Sequence, residues 1–208
     1  MNVFQRAAAV AAGVAVLLVA GSCAQQDVGG PSAGASDAPE TFVVDEAAVS
    51  FELPAGWDEF DSKTMQDALE DSAALDEVSD RSGMSSDQMQ QLLASNVSLY
   101  VVAPRGEDGV LGNVNVMVFD HEKLPTAGAL KLQYRTLGAA DIESDDVSTE
   151  VGDGFATTYQ LELQGRSMYG ESLALDVNGS AMLLTITSGA ADRTDELARQ
   201  VLESLATV

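Results

Sequence analysis

The chain has 208 residues, 46% of them hydrophobic, enough to fill one core but too few for two independent domains of ordinary size. Ten Lys and Arg stand against 33 Asp and Glu, a formal charge of −23. A surface that acidic repels phosphate backbones and anionic head groups, so no nucleic-acid partner is expected.

Residues 1–22 read as an address. Met1 to Arg6 is a short segment with one cation, and Ala7 to Ala20 is an uncharged apolar run. That run fits a secretory signal and is short of the ~20 apolar residues a membrane-spanning helix needs. Ala20, Gly21 and Ser22 lead into Cys23, the only cysteine. This segment resembles a bacterial lipobox, with Ala20 standing where the pattern prefers Leu or Val. The resemblance implies a thioether from the Cys23 sulfur to diacylglycerol, cleavage between Ser22 and Cys23, and two acyl chains, which suffice for stable anchoring. The mature protein is then expected on the extracytoplasmic face of the cell membrane, with no disulfide within the chain. Residues 23–40, the lipidated Cys and a stretch rich in Gly, Ser, Ala, Pro and Asp, read as a flexible tether. Residues 41–208 remain for a single folded domain.

Within that domain Val49, Phe51 and Leu53 alternate with Ser50 and Glu52, which predicts a half-buried strand stopped by Pro54 and turned by Ala55-Gly56. Trp57 follows at once and is expected to anchor the core at the strand's end, with ligand stacking as its other use. Residues 63–81 place Met65, Ala68, Leu69, Leu75 and Val78 near helical spacing, with Asp67, Glu70 and Asp71 on another face; one helix with an acidic outer surface is predicted. A second helix opens at Ser85 and Gln88, spaced as a capping box, with Met84 and Met89 placed as a hydrophobic staple. Together they form a helical insertion over about 60–95. Residues 96–104 and 112–120 predict a hairpin. Leu124-Pro125 opens a helix on which Ala127, Leu130, Tyr134 and Leu137 share a face and Gly138 supplies a left-handed cap.

Residues 139–150 read as a polar connection. The runs from Gly154, Gly165 and Ser180 predict a three-stranded antiparallel meander, turned near Gln164-Gly165 and at Asn178-Gly179, where both residues tolerate positive φ. A last helix over 191–206, with Asp192 as a possible cap, carries the stripe Leu197, Val201, Leu202 and Leu205 and should lie across the sheet. The fold class is α+β: an antiparallel sheet with a hairpin and a three-strand meander, packed by helices in a monomeric domain.

The segments Phe51-Glu-Leu-Pro-Ala-Gly-Trp57, Gly154-Phe-Ala-Thr-Thr-Tyr159, Ala181-Met-Leu-Leu-Thr-Ile-Thr187 and Leu197 to Leu205 together resemble the PsbP-like superfamily, which includes actinobacterial lipoproteins of the Lpq type. The resemblance implies an α/β/α sandwich and a scaffolding or binding role without catalysis. The acidic helices between Trp57 and Asn96 depart from the superfamily pattern.

Chemical motifs are sparse. His121, the only histidine, sits between Asp120 and Glu122 at a predicted strand end, where adjacent side chains point to opposite faces and do not share a metal. The acidic run from Asp141 to Asp146 lacks the spacing and central Gly of a calcium loop. There is no G-x-S-x-G elbow, P-loop, dinucleotide fingerprint or cysteine cluster. No catalytic residue, metal or cofactor is predicted. The expected function is a non-catalytic, membrane-anchored extracytoplasmic lipoprotein that binds or assembles a protein or a small ligand, with Trp57, Asp67, Glu70 and Asp71 as candidate contacts. The alternative is a carboxylate-based, metal-dependent hydrolase at the cell surface.

Overall fold

The computed structural model describes residues 38–82, 85–94, 97–104, 112–119, 123–163 and 165–208. Its elements run β1 (Glu40–Val44), β2 (Val49–Leu53), β3 (Asp58–Asp61), α1 (Ser62–Glu70), α2 (Ser72–Ser82), α3 (Ser86–Ala94), β4 (Val97–Val102), β5 (Asn113–Phe119), α4 (Ala127–Thr136), β6 (Ala140–Ser148), β7 (Asp153–Leu163), β8 (Arg166–Val177), β9 (Ser180–Ser188), α5 (Ala191–Ser204) and β10 (Ala206–Thr207). They form two antiparallel sheets, a small one ordered β1-β2-β10 and a seven-stranded one ordered β3-β4-β5-β9-β8-β7-β6.

Period-2 side-chain alternation on the large sheet feeds two separate cores. One gathers Leu173, Leu175 and Leu184 of the sheet with Phe51 of the small sheet and Leu197 and Val201 of α5. The other gathers Tyr100, Met117 and Tyr159 of the sheet with Met65 of α1, Met89 of α3 and Tyr134 of α4. Helices therefore cover both faces, and the fold is α+β.

The predicted hairpin is β4 paired with β5, and the meander is β7, β8 and β9 in register. Asn178 and Gly179 both take positive φ, 55° and 84°, the backbone a tight hairpin turn demands. Gly138 likewise closes α4 at φ 87°, and α3 begins directly after Ser85.

Several expectations are corrected. The single helix over 63–81 is two helices, broken at Asp71, whose backbone is extended (φ −126°, ψ 117°). Asp71 Oδ1 accepts the Ala73 N–H at 2.9 Å, the local side-chain bond by which Asp competes with helix continuation. The polar connection over 139–150 is mostly a strand, β6, at the edge of the sheet. Charge on both of its faces hides the alternation that marks half-buried strands, and it also protects the edge from pairing with another chain. Leu137 is the C-cap residue of α4 and 48% exposed, so it leaves the buried face that Leu130 and Tyr134 share. Asp192 lies in the first turn of α5 and does not cap it; the N-cap is Ala190, without a side-chain cap. Strands β1, β3 and β10 are additions. β3 reads as acidic because only Phe60 points inward. Met84, Gln164 and the side chain of Gln88 lie outside the described residues, as do Cys23 and residues 120–122 with His121.

Candidate functional site

The helical face of the large sheet carries polar side chains where a buried strand needs none. Strand register aligns Asn115 of β5, Thr185 of β9, Ser172 of β8, Thr157 of β7 and Ser144 of β6 in one row across five strands. A second row, one pleat away, aligns Asn113, Thr187, Gly170 and Tyr159. All but Ser144 are buried.

The four hydroxyls of the first row are bonded. Tyr134 reaches down from α4 to a hydrogen bond with Ser172, whose hydroxyl also bonds Thr185 at 2.9 Å, and Ser144 bonds Thr157 at 2.7 Å. Burial pushes the Tyr134 phenol up to about 12, opposed by these hydroxyls.

The second row differs. The Asn113 side chain is 1% exposed, and both its amide oxygen and its nitrogen lack a hydrogen-bond partner. Tyr159, 3% exposed, stacks on Tyr134 with ring centroids 4.1 Å apart, and its hydroxyl is also without a partner. Thr187, Ser172 and Tyr134 lie near enough to that phenol to affect its acidity, yet none forms a hydrogen bond of sound geometry. Burial holds it well above the ordinary tyrosine range, so it stays protonated. Gly170 makes room for it: a Cβ there would meet Tyr159 Cζ at 2.1 Å. Tyr159 thus lies over the glycine backbone, on the row that continues to Thr187 and Asn113.

A different chemistry marks the outer side of α4. Leu132 is 64% exposed, Leu137 past the end of the helix is 48% exposed, and Arg135 and Lys123 are exposed. Lys63 pairs with Asp67, Arg193 with Glu196 and Arg199 with Glu203, and Arg166 has its own interaction. Among the described side chains, Lys123, Lys131 and Arg135 are the cations with no ion pair.

On the opposite face of the sheet, burial and the charge of Asp195 on α5 push the Glu171 carboxyl up to about 7. No group of three or more His, Cys, Asp or Glu is gathered to hold a metal among the described residues.

The four residues singled out from sequence do not come together. Trp57 is 7% exposed and packs in the α5-side core, where a Cβ at Gly112 would lie 3.7 Å from its ring. Asp67, Glu70 and Asp71 are exposed on and just after α1, the helix whose Met65 and Ala68 enter the other core. Asp67 pairs with Lys63 at 3.2 Å. Asn113, Thr187 and Tyr159 escaped the sequence reading, although Asn-Val-Asn and Thr-Ile-Thr place polar residues at every second position of apolar strands.

No protein family and no curated protein matches the chain. Among solved structures it is similar to the cyanobacterial PsbP of Synechocystis sp. PCC 6803, at 14% identity and a TM-score of 0.49, over 87% of this chain and 99% of that one. It is similar to the Ran-binding protein Mog1p of Saccharomyces cerevisiae, at 10% identity and a TM-score of 0.46, over 83% and 97%. A third is LpqN of Mycobacterium tuberculosis, involved in cell envelope biogenesis, at 11% identity and a TM-score of 0.35, over 53% and 72%. No helix among the described residues is long and apolar enough to cross a membrane.

Proposed function

We propose that this chain is a non-catalytic, extracytoplasmic lipoprotein, held to the cell membrane through acylated Cys23 and the tether to residue 40, which docks a protein partner on the outer side of α4. The lipobox-like Ala20-Gly-Ser-Cys23 supports the anchor, and the PsbP-like sequence pattern supports a binding role. The observation that carries the docking reading is exposed Leu132 on α4 beside Lys131 and Arg135, cations with no ion pair, in a chain of charge −23. A leucine on the outward side of a surface helix gains nothing for its own fold. An exposed leucine beside unpaired cations suits a protein interface, and its fitting partner is an acidic face with an apolar centre.

Crosslinking in native membranes followed by mass spectrometry tests this. A Lys131→Glu, Arg135→Glu, Leu132→Ser variant should lose the partner while keeping its melting temperature, and capture by the parent should weaken with salt, since exposed charges are screened beyond ~8 Å at physiological ionic strength. Loss of capture instead on replacing Asp67, Glu70 and Asp71 by Asn or Gln would move the docking face to α1. A Cys23→Ala chain that stays in the membrane fraction as fully as the parent would sink the anchor.

A further inference from the structure

We infer that Asn178 is a site of covalent self-modification, losing its side-chain nitrogen as ammonia through a backbone succinimide, and that the Asp176 carboxylate restrains the reaction. Asn178 alone among the asparagines precedes glycine; Asn2, Asn96, Asn113 and Asn115 all precede valine. The attacking atom is the Gly179 backbone nitrogen, which a residue without a Cβ leaves open to close approach. Asn178 and Gly179 are both exposed at the tip of the β8–β9 hairpin. A Cβ on Gly179 would meet nothing within 4 Å, so a succinimide ring and an incoming water have room. Asn113 and Asn115 are buried within β5 and meet neither condition.

The reaction balances with water as its only co-reactant. The Gly179 nitrogen gives up its proton and bonds Asn178 Cγ, and the Cγ–Nδ2 bond breaks; the side-chain NH2 leaves as ammonia, its third proton replacing the one Gly179 lost. Water then opens the ring at either carbonyl, which returns aspartate or, with the chain rerouted through the side-chain carbon, isoaspartate. Asp176 acts at the first of these events, because its Oδ1 accepts the Gly179 N–H at 3.0 Å. That hydrogen bond favours the protonated nitrogen, and the carboxylate's charge disfavours the amide anion. Pairing of Val177 with Ser180 closes the turn on both sides, so the restraint lasts while the hairpin does. The two products differ in consequence. Asp-Gly suits the same positive-φ turn, whereas isoaspartate adds a backbone carbon that a two-residue turn between paired strands does not fit.

The test incubates the protein at mildly alkaline pH, digests it, and follows the peptide carrying residue 178 by mass spectrometry for exchange of amide for carboxyl. Folded Asp176→Ala should convert severalfold faster than the folded parent, with Asp176→Asn, which keeps an acceptor oxygen without the charge, in between. Unfolded in urea, parent and variants should convert at similar rates, all faster than the folded parent, which separates the hydrogen bond of the turn from the local sequence. Asn113 and Asn115 should stay intact in every folded sample. Asn178→Asp should melt with the parent, and the isolated isoaspartate form below it. If Asp176→Ala does not fold, Asp176→Asn carries the comparison. A folded variant that converts no faster than the parent overturns the restraint, and an Asn178 that stays intact in the folded variants while the unfolded chains convert overturns the site.

Discussion

The two faces of the large sheet are built by the same strands and are both covered, yet they differ residue by residue. On β8 Leu173 enters the α5-side core and Ser172 the helical side; on β9 Leu184 and Ile186 alternate with Thr185 and Thr187; on β5 Val114 and Val116 alternate with Asn113 and Asn115. A sheet buried on both faces is served by hydrocarbon everywhere, and a buried polar group costs free energy unless it is bonded. The α5 side follows that economy apart from Glu171 and the mutually bonded Ser188 and Thr194 hydroxyls, and specifies the fold. The helical side departs from it in two registered rows, one whose hydroxyls bond one another and one in which the Asn113 amide and the Tyr159 hydroxyl have no partner.

The comparison breaks first if the α5-side core is not what holds the domain. Phe51 is fully buried there, 5.9 Å from Phe42 between ring centroids. Phe51→Ala should cost about 3–5 kcal/mol, read as a lower midpoint in urea at unchanged slope. A loss below about 1 kcal/mol would mean that the small sheet is not tied to the core.

The two stacked tyrosines sharpen it. Tyr134 spends its hydroxyl on Ser172 and Tyr159 spends none within the protein. Tyr134→Phe should therefore cost about 1 kcal/mol, the net worth of a buried hydrogen bond, whereas Tyr159→Phe should be neutral or stabilising, because it removes a buried group without a partner. Equal losses in denaturant melts would erase the distinction between the rows.

Where alternation was clean, the sequence was legible. The strand from Val49, the hairpin of β4 and β5, the Asn178-Gly179 turn and the stripe of α5 all follow from spacing and turn chemistry. Legibility failed where charge overrode pattern, at β3 and β6, whose edge positions favour carboxylates over hydrophobes, and at Asp71, where a local hydrogen bond splits an otherwise continuous helical period. The candidate sites were harder to see. Asn113 and Tyr159 lie 46 residues apart in sequence, and only the order β5-β9-β8-β7 places them on one row. Helical spacing places Leu137 on the buried face of α4 because it cannot foresee that the helix ends at Thr136.

Glu171 gives the smallest test. It is the buried ionisable group on the α5 side, 9% exposed, with its carboxyl raised from 4.5 to about 7 first by burial and then by Asp195. The folded state binds this proton more tightly than the unfolded chain, so its contribution to stability is complete below about pH 4.5 and is lost as pH rises through about 7. Asp61, whose carboxyl is lowered chiefly by the Thr64 backbone N–H, acts in the opposite direction and only in acid; Glu59, raised first by burial and then by Asp61 and Asp45, acts in the same direction as Glu171, so the Glu171 share is read as the difference between parent and Glu171→Gln. Partial solvent contact discounts the effect to about 1 kcal/mol, or about 2–4 °C in a domain of this size. Glu171→Gln should melt that much above the parent at pH 8 and no higher at pH 5. Asp195→Asn should recover less than half of the difference, because burial is the larger cause; full recovery would make the repulsion between the two carboxylates, rather than the hydrocarbon around Glu171, the source of the shift.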